Sequence, residues 1–371
     1  PQPMSQTDRR AFLGAAGAVT AGAVVSAAAG RALVGSRMES VRNRYALPPA
    51  AQPVTPPPPG ASFSHQGLAP LIVPNDEFYR IDTRLVGAPR IDIDRWRLRI
   101  TGMVEEPFSL TFEELLAMPL VEEHVTLSCV SNEVGGDLVG TAAWRGVRLD
   151  GLLERAGVQP GATQLVGRAV DGFTVGFPTE AALDGRDALV AVGMNGELLP
   201  LIHGFPARLV VPGLYGYVSA TKWLSEIELT RWEGFDAYWI PRGWDKRAPV
   251  LTQSRIDTVV PRTPTAGQPA VVAGVAWAPT RGVSRVEVNI DGDGWREAEL
   301  AAPLTDDTWR QWRYRWEPTA GQHVVAVRAT DGRGDTQTSE RTPPGPNGAT
   351  GYHTIRVDVA EGHGGRGEQA G

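Results

Sequence analysis

The chain has 371 residues, long enough for two folded domains, and its 36 Lys and Arg against 42 Asp and Glu leave a formal charge of -6, which excludes the strongly basic surface of a nucleic-acid binder. Its single cysteine excludes an internal disulfide, a Cys-rich zinc site, an iron–sulfur cluster and a C-x-x-C-H haem attachment. With 43 Gly, 30 Pro and 11 Trp and many short apolar runs between turn signals, the composition points to a β-rich mixed protein.

In chain order, Asp8-Arg9-Arg10 precede an uncharged stretch from Ala11 to Gly30 that is rich in Ala and Gly. Its length suits a bilayer-crossing helix, and Arg9-Arg10-Ala11-Phe12-Leu13 matches the core of a twin-arginine export signal. Residues 1–36 are therefore expected to be an export signal or a membrane anchor, and both readings put the main body outside the cytoplasm. Residues 37–70, with Pro48-Pro49, Pro53 and Pro56 to Pro59, read as a semi-stiff extended linker or a chain draped over the surface.

A first domain is expected over residues 71–254. It alternates as a strand over 95–102, and Ser109-Leu110-Thr111-Phe112-Glu113-Glu114 opens a helix with a hydroxyl cap and an acidic first turn. A strand follows that ends at Cys129, then a short helix over 149–156 and strands over 163–170 and 207–212. Residues 234–255 are rich in aromatic, basic and Pro residues and lie over something. From 255 to 360 the pattern is purely β, with alternation at 270–276, 284–290, 309–316 and 323–329 and turn pairs such as Asp291-Gly292, which fits an immunoglobulin-like sandwich. The remainder, 361–371, reads as a disordered tail.

Three stretches carry chemistry. Cys129 sits where a strand meets the turn residues Asn132 and Gly135-Gly136; a lone cysteine is commonly a small buried hydrophobe, but a strand end also suits a rigidly held ligand. Arg208 enters an otherwise apolar strand five residues after His203, and a buried guanidinium needs either a paired acid or an anionic ligand such as phosphate. Ser219, Thr221 and Lys222 group after Gly213 and Gly216 and could donate to phosphate. The sequence contains no GxxxxGK[ST], HExxH or G-x-S-x-G motif. A cysteine hydrolase would require Cys129 and His203 to meet.

Together these stretches resemble the sulfite oxidase family of molybdopterin enzymes, in a bacterial form that is exported or membrane-anchored. The resemblance covers about residues 75–359 and is carried by Leu127-Ser128-Cys129-Val130-Ser131-Asn132, by the run from His203-Gly204-Phe205-Pro206 through Arg208 to Pro212-Gly213, and by Lys222-Trp223-Leu224. It implies an α+β fold, with a molybdopterin-binding domain followed by an immunoglobulin-like β-sandwich of the kind through which the family dimerises. It implies that Cys129 ligates molybdenum and that Asn75, Tyr79, Arg80, Asp171, His203, Arg208, Ser219, Thr221 and Lys222 contact the molybdopterin. Tyr238 matches a substrate-pocket tyrosine. The implied activity is two-electron oxygen-atom transfer on a small oxo-anion, with electrons passing to a separate carrier such as a cytochrome, since no haem domain is recognisable.

One departure bears on the substrate. Sulfite oxidases place arginines soon after the cysteine, where this chain has Glu133 and Val134, so Arg145, Lys246 or Arg247 would have to compensate at the anion site; Arg145 is counted among the expected catalytic residues on that ground. A reductase of sulfoxides or other neutral oxo compounds is the alternative on the same cofactor. A cofactor-free extracellular binding protein is the alternative outside enzymes.

Overall fold

Short alternating runs punctuated by Gly and Pro fold into strands, and the computed structural model, which describes residues 38–83 and 87–362, is dominated by four sheets. Strands β1 (Leu98–Gly102) and β2 (Phe108–Leu110) lead into helix α1 (Phe112–Ala117). The Thr111 hydroxyl accepts the Glu114 amide while the Glu114 carboxylate accepts the Thr111 amide, a reciprocal cap that satisfies donors with no partner inside the helix. Next come β3 (Val121–Ser128), β4 (Val139–Arg148), α2 (Leu149–Ala156), β5 (Gln164–Ala169), β6 (Thr174–Pro178), β7 (Leu189–Met194), β8 (Glu197–Leu198), β9 (Arg208–Val210), α3 (Gly216–Ser219) and β10 (Leu224–Thr230).

These strands make two five-stranded layers. One has the order β2-β1-β10-β5-β6, with β1 and β10 parallel; the other is β3-β4-β7-β8 with β9 against β7. Leu98, Ile100, Ile227 and Leu229 from the first, Val125, Leu127, Trp144 and Val190 from the second, and Leu115, Leu149 and Leu152 from the helices share one buried core, each such side chain contributing about 2 kcal/mol by leaving water. The three helices have only 6, 8 and 4 residues, so the domain is mostly β rather than an even α+β mixture. Gly157, at φ 65°, ends α2 in the left-handed conformation, and breakers of this kind keep the helical runs short.

The second domain packs β11 (Gln253–Val260), β12 (Ala270–Trp277), β13 (Val283–Ile290), β14 (Trp295–Glu297), β15 (Glu299–Leu300), β16 (Arg310–Trp316), β17 (Gly321–Asp331) and β18 (His353–Val359). They form two antiparallel four-stranded sheets, β11-β12-β16-β15 and β14-β13-β17-β18. Val272, Val286, Val288, Trp312, Val325 and Val327 fill a core separate from the first. Asp291 and Gly292 both have positive φ, 56° and 83°, in keeping with a hairpin turn that follows strand twist.

The Pro-rich stretch is a draped chain rather than a free linker. Its Ala51 and Gln52 pair along β3, with Ala51 N–H donating to Leu120 O at 2.7 Å and Glu122 N–H to Gln52 O at 2.9 Å. Further on, Phe63 N–H donates to the Gln311 side chain at 2.7 Å, Ala69 N–H to Asp257 at 3.0 Å, and the Trp309 indole to Leu71 O at 2.8 Å. The strap thus covers an open strand edge and stitches the two domains together. The expected export or anchor segment and most of the expected tail lie outside the described residues. Among the described residues no helix is long and apolar enough to cross a membrane.

Candidate active site

A cavity with about 930 Å³ of empty volume opens at the end of β3 and is lined by Cys129, Asp171, His203, Arg208 and Lys222 together with Phe78, Tyr79, Ile81, Asp82, Phe173, Tyr217, Trp223, Trp239 and Trp244. Cys129 is the residue after the last of β3, and its N–H donates to Leu138 O at 2.9 Å. Rigid pairing therefore stops at the half-buried sulfur. Burial pushes the thiol above its ordinary pKa, with the Ser131 amide and hydroxyl pulling the other way, so a metal binding there would have to displace its proton.

Arg208, at the first position of β9, is buried. Its guanidinium lies 4.8 Å from the Trp144 ring centroid and donates to His203 O at 3.1 Å and, at the limit of hydrogen bonding, to Leu209 O at 3.5 Å. Among the described residues no carboxylate pairs with it. Burial lowers its pKa to about 10, with Tyr79 and Asp82 resisting. Of the two partners expected for an arginine in an apolar strand, the internal acid is not there, and a desolvated cation faces the cavity.

His203 is held by a 2.7 Å bond from Nε2–H to Asn75 O. Burial is the main cause of a pKa lowered to about 4, with Arg208, Lys222 and Arg80 adding to it against the Asn75 carbonyl. The ring is therefore neutral at pH 7, with Nδ1 as an acceptor, and is a weak base for the hydrolase reading although it shares the cavity with Cys129. Lys222 pairs with Asp82 and donates to Ile81 O at 3.1 Å; burial lowers its pKa to about 8, opposed by Asp82. The next residue, Trp223, adopts φ 53°, a strained conformation for a bulky side chain, and its indole donates to Leu201 O at 2.8 Å. Asp171 accepts the Phe173 amide at 3.1 Å in the β5–β6 turn, and burial pushes the Tyr79 phenol well above its usual pKa.

Other expected residues lie behind or away from this wall. Asn75 stands one step back, its carbonyl on His203 and its amide donating to Glu197 at 2.6 Å. Arg80 reaches the cavity only through Asp82, at 2.5 Å. The Ser219 hydroxyl donates inward, to Tyr215 O at 3.1 Å, and the buried Thr221 hydroxyl has no partner and points at Gly167 of β5. Neither side chain faces the cavity. Tyr238 is not part of the lining but packs on two residues that are, its ring centroid 5.5 Å from Phe173 and 5.2 Å from Trp239 with Arg242 over its ring.

Arg145 is a correction. It pairs with Glu122 at 2.8 Å and donates to Pro48 O at 2.9 Å, at the end of β3 opposite Cys129, about 20 Å away at the rise of a strand. Lys246 is likewise committed, to Phe235 O at 2.7 Å and Asp236 at 2.9 Å, and Arg247 leans on Trp232. The three cations expected to compensate for Glu133 are thus outside the cavity. Sequence reasoning missed the aromatic wall of Phe173, Tyr217, Trp239 and Trp244; the aromatic density of 234–255 was its available signal. Asp82 carried none.

Among the described residues no group of three or more His, Cys, Asp or Glu side chains could hold a metal ion, so a metal here needs ligands from a cofactor. A roomy cavity with one thiol, an unpaired buried arginine and a neutral histidine fits an anionic metal-carrying cofactor. In agreement, residues 85–239 match the family model described as the oxidoreductase molybdopterin binding domain, and these features define a molybdopterin-binding oxidoreductase. The chain is 36% identical over 156 residues to the uncharacterized oxidoreductase YuiH of Bacillus subtilis, covering 42% of this chain and 75% of that one. It is 29% identical over 303 residues to mitochondrial sulfite oxidase of Rattus norvegicus, covering 69% and 55%, and so spans about half the length of that enzyme. The crystal structure of the sulfane dehydrogenase SoxCD from Paracoccus pantotrophus superposes with a TM-score of 0.68 at 25% identity, covering 78% and 82%. The chain belongs to the sulfite oxidase family of molybdopterin-dependent oxidoreductases.

Proposed function

We propose that this chain catalyses two-electron oxygen-atom transfer on a molybdenum–molybdopterin cofactor held in the cavity at the end of β3, with the Cys129 thiolate as the protein's ligand to the metal. The observation that carries the reading is Arg208, a buried cation with no acid partner among the described residues, in the same cavity as the only thiol. When bound, the cofactor supplies the redox and oxygen-transfer chemistry. The chain's part is to bind and orient it: Arg208 and Lys222 offer charge to its anionic groups, neutral His203 offers an acceptor, and Asn75 fixes the tautomer and angle of that ring. Tyr79 and Asp171 add a phenol and a carboxylate to the same walls. A soft thiolate is the appropriate ligand type for such a metal.

The names of the relatives support a small oxo-anion or sulfur compound as substrate and a separate electron carrier such as a cytochrome. A second reading, reduction of sulfoxides, is favoured by the aromatic side chains of Phe173, Tyr217, Trp239 and Trp244, which suit a substrate with an organic flank. The strand order β11-β12-β16-β15 against β14-β13-β17-β18 supports an immunoglobulin-like assignment for the second domain, and the family resemblance supports pairing of two copies through it. Placement outside the cytoplasm, by export or a membrane anchor, rests on residues 9–30.

The test is metal and pterin analysis of wild type and Cys129→Ser made in a host that synthesises molybdopterin. About one molybdenum per chain in the wild type, and turnover lost in the variant with the fold retained, is the expected result. No metal from a competent host, or turnover that survives the substitution, overturns the reading. A screen of sulfite against aryl and alkyl sulfoxides then fixes substrate and direction.

A further inference from the structure

The loop that follows Cys129 is gripped at its tip by the other domain. Within the loop, Asn132 N–H donates to Cys129 O at 3.1 Å, the Asn132 side chain accepts Leu138 N–H at 2.9 Å, and Leu138 O accepts Cys129 N–H at 2.9 Å. So closed a loop transmits a push at its tip to its base. At that tip, Arg255 of β11 donates from Nη1 to Gly136 O at 2.8 Å, and its Nε is fixed on Asp257 at 2.5 Å. Asp257 in turn accepts the Ala69 amide of the strap at 3.0 Å. His353 of β18 is fixed by Ile256 N–H donating to its Nδ1 at 2.9 Å. The Cδ2–Nε2 edge of its ring abuts Gly135, where a Cβ would sit 2.4 Å from Cδ2 and 2.5 Å from Nε2. Gly135 also has φ 84°, so backbone conformation and contact both demand glycine.

We infer that Arg255 and His353 are positioning residues for the Cys129 sulfur, so that the second domain is part of the active-site scaffold and not only an appended module. Their grip fixes the loop from outside, and the sulfur's direction and shelter follow from the loop. The consequence for catalysis rests on Cys129 being the metal ligand, since a ligand displaced by about 1 Å costs orders of magnitude in rate. The structural part stands without it.

Because Cys129 is the only cysteine in the chain, thiol labelling reads its environment directly. The experiment measures the rate of iodoacetamide alkylation against pH in cofactor-free full-length protein for wild type, Arg255→Met, Arg255→Lys and Gly135→Ala. Trp309→Phe is the control, since it removes a hydrogen bond between strap and second domain without touching the loop. Arg255→Met and Gly135→Ala are expected to raise the rate about tenfold as the thiol loses its shelter, Arg255→Lys to restore part of the wild-type value, and Trp309→Phe to lower the melting temperature while leaving the rate within about twofold of wild type. In molybdenum-loaded enzyme the same two variants are expected to lower kcat more than they raise KM. Wild-type alkylation in both Arg255→Met and Gly135→Ala overturns the inference, as does an equal rise in Trp309→Phe. Failure to load metal would instead count against the proposed cofactor and leave the labelling result intact.

Discussion

Two arginines are removed from water in opposite ways. Arg281, in the second domain, donates to Asp331 at 2.7 Å, Val250 O at 3.0 Å and Thr252 at 3.2 Å, while Asp331 also accepts the amides of Arg333 and Asp335. Arg208, in the cavity wall, has only carbonyls and the face of Trp144. The first arrangement is complete in the protein alone. The second leaves a buried cation without a counter-charge among the described residues, and departures of that kind from polar satisfaction gather at functional sites.

The largest effect is expected at the cavity's centre. Cys129→Ser is expected to lower turnover of the molybdenum-loaded enzyme by at least about 10³-fold, with a circular dichroism spectrum and melting curve close to wild type. Next, Arg281→Met should destabilise the protein by about 3–5 kcal/mol in denaturant unfolding, because Asp331 is left buried and unpaired. Arg208→Met should change the stability of cofactor-free protein by less than about 1 kcal/mol, since no counter-charge is orphaned, yet the purified variant should retain little pterin. Equal destabilisation by the two substitutions would erase the distinction.

Acid sharpens it further. Folded His203 takes its proton only near pH 4, whereas an unfolded histidine takes one near pH 6.5. Between these values the unfolded state binds more protons, so stability of the cofactor-free protein falls as pH drops through that window. His203→Gln should flatten part of the fall in a series of denaturant midpoints; His124 and His353 are also lowered by burial and account for some of the remainder. The smallest effects are expected at the two hydroxyls that face away from the cavity. Ser219→Ala should cost about 1 kcal/mol or less, and Thr221→Val should be neutral or stabilising because its buried oxygen has no partner to lose; both should keep their pterin content.

These cases mark what was legible in the sequence. The end of a strand at Cys129, the capped helix after Thr111 and four of the second domain's strands, near residues 270–276, 284–290, 309–316 and 323–329, followed from local signals: alternation, a capping hydroxyl, Asp-Gly turns. Cys129, His203, Arg208, Asp171, Tyr79 and Lys222 do converge on one cavity. Side-chain direction was not legible, and it decides the rest. Ser219 and Thr221 stand beside Lys222 in sequence but turn inward, Ser219 onto Tyr215 O and Thr221 toward Gly167. Arg145 was assigned by its charge, yet pairing register sets it opposite Glu122, at the wrong end of its strand. The ion pair of Asp82 with Lys222 joins residues 140 positions apart and has no local signature.

The strap that begins near Ala51 has a consequence for the order of events during synthesis. Its bonds to Trp309 and Gln311 span 238 and 242 positions, so its downstream half must wait until the second domain has emerged, while Ala51 and Gln52 need only β3. Long-range closures of this kind form late. Residues 75–83, which continue from the strap into the wall of the cavity, do not depend on that stage: Val73, just upstream of them, donates to Thr141 O at 2.9 Å and accepts the Asn195 side-chain amide at 2.9 Å, so the cavity wall has its anchor within the first domain before the strap is closed.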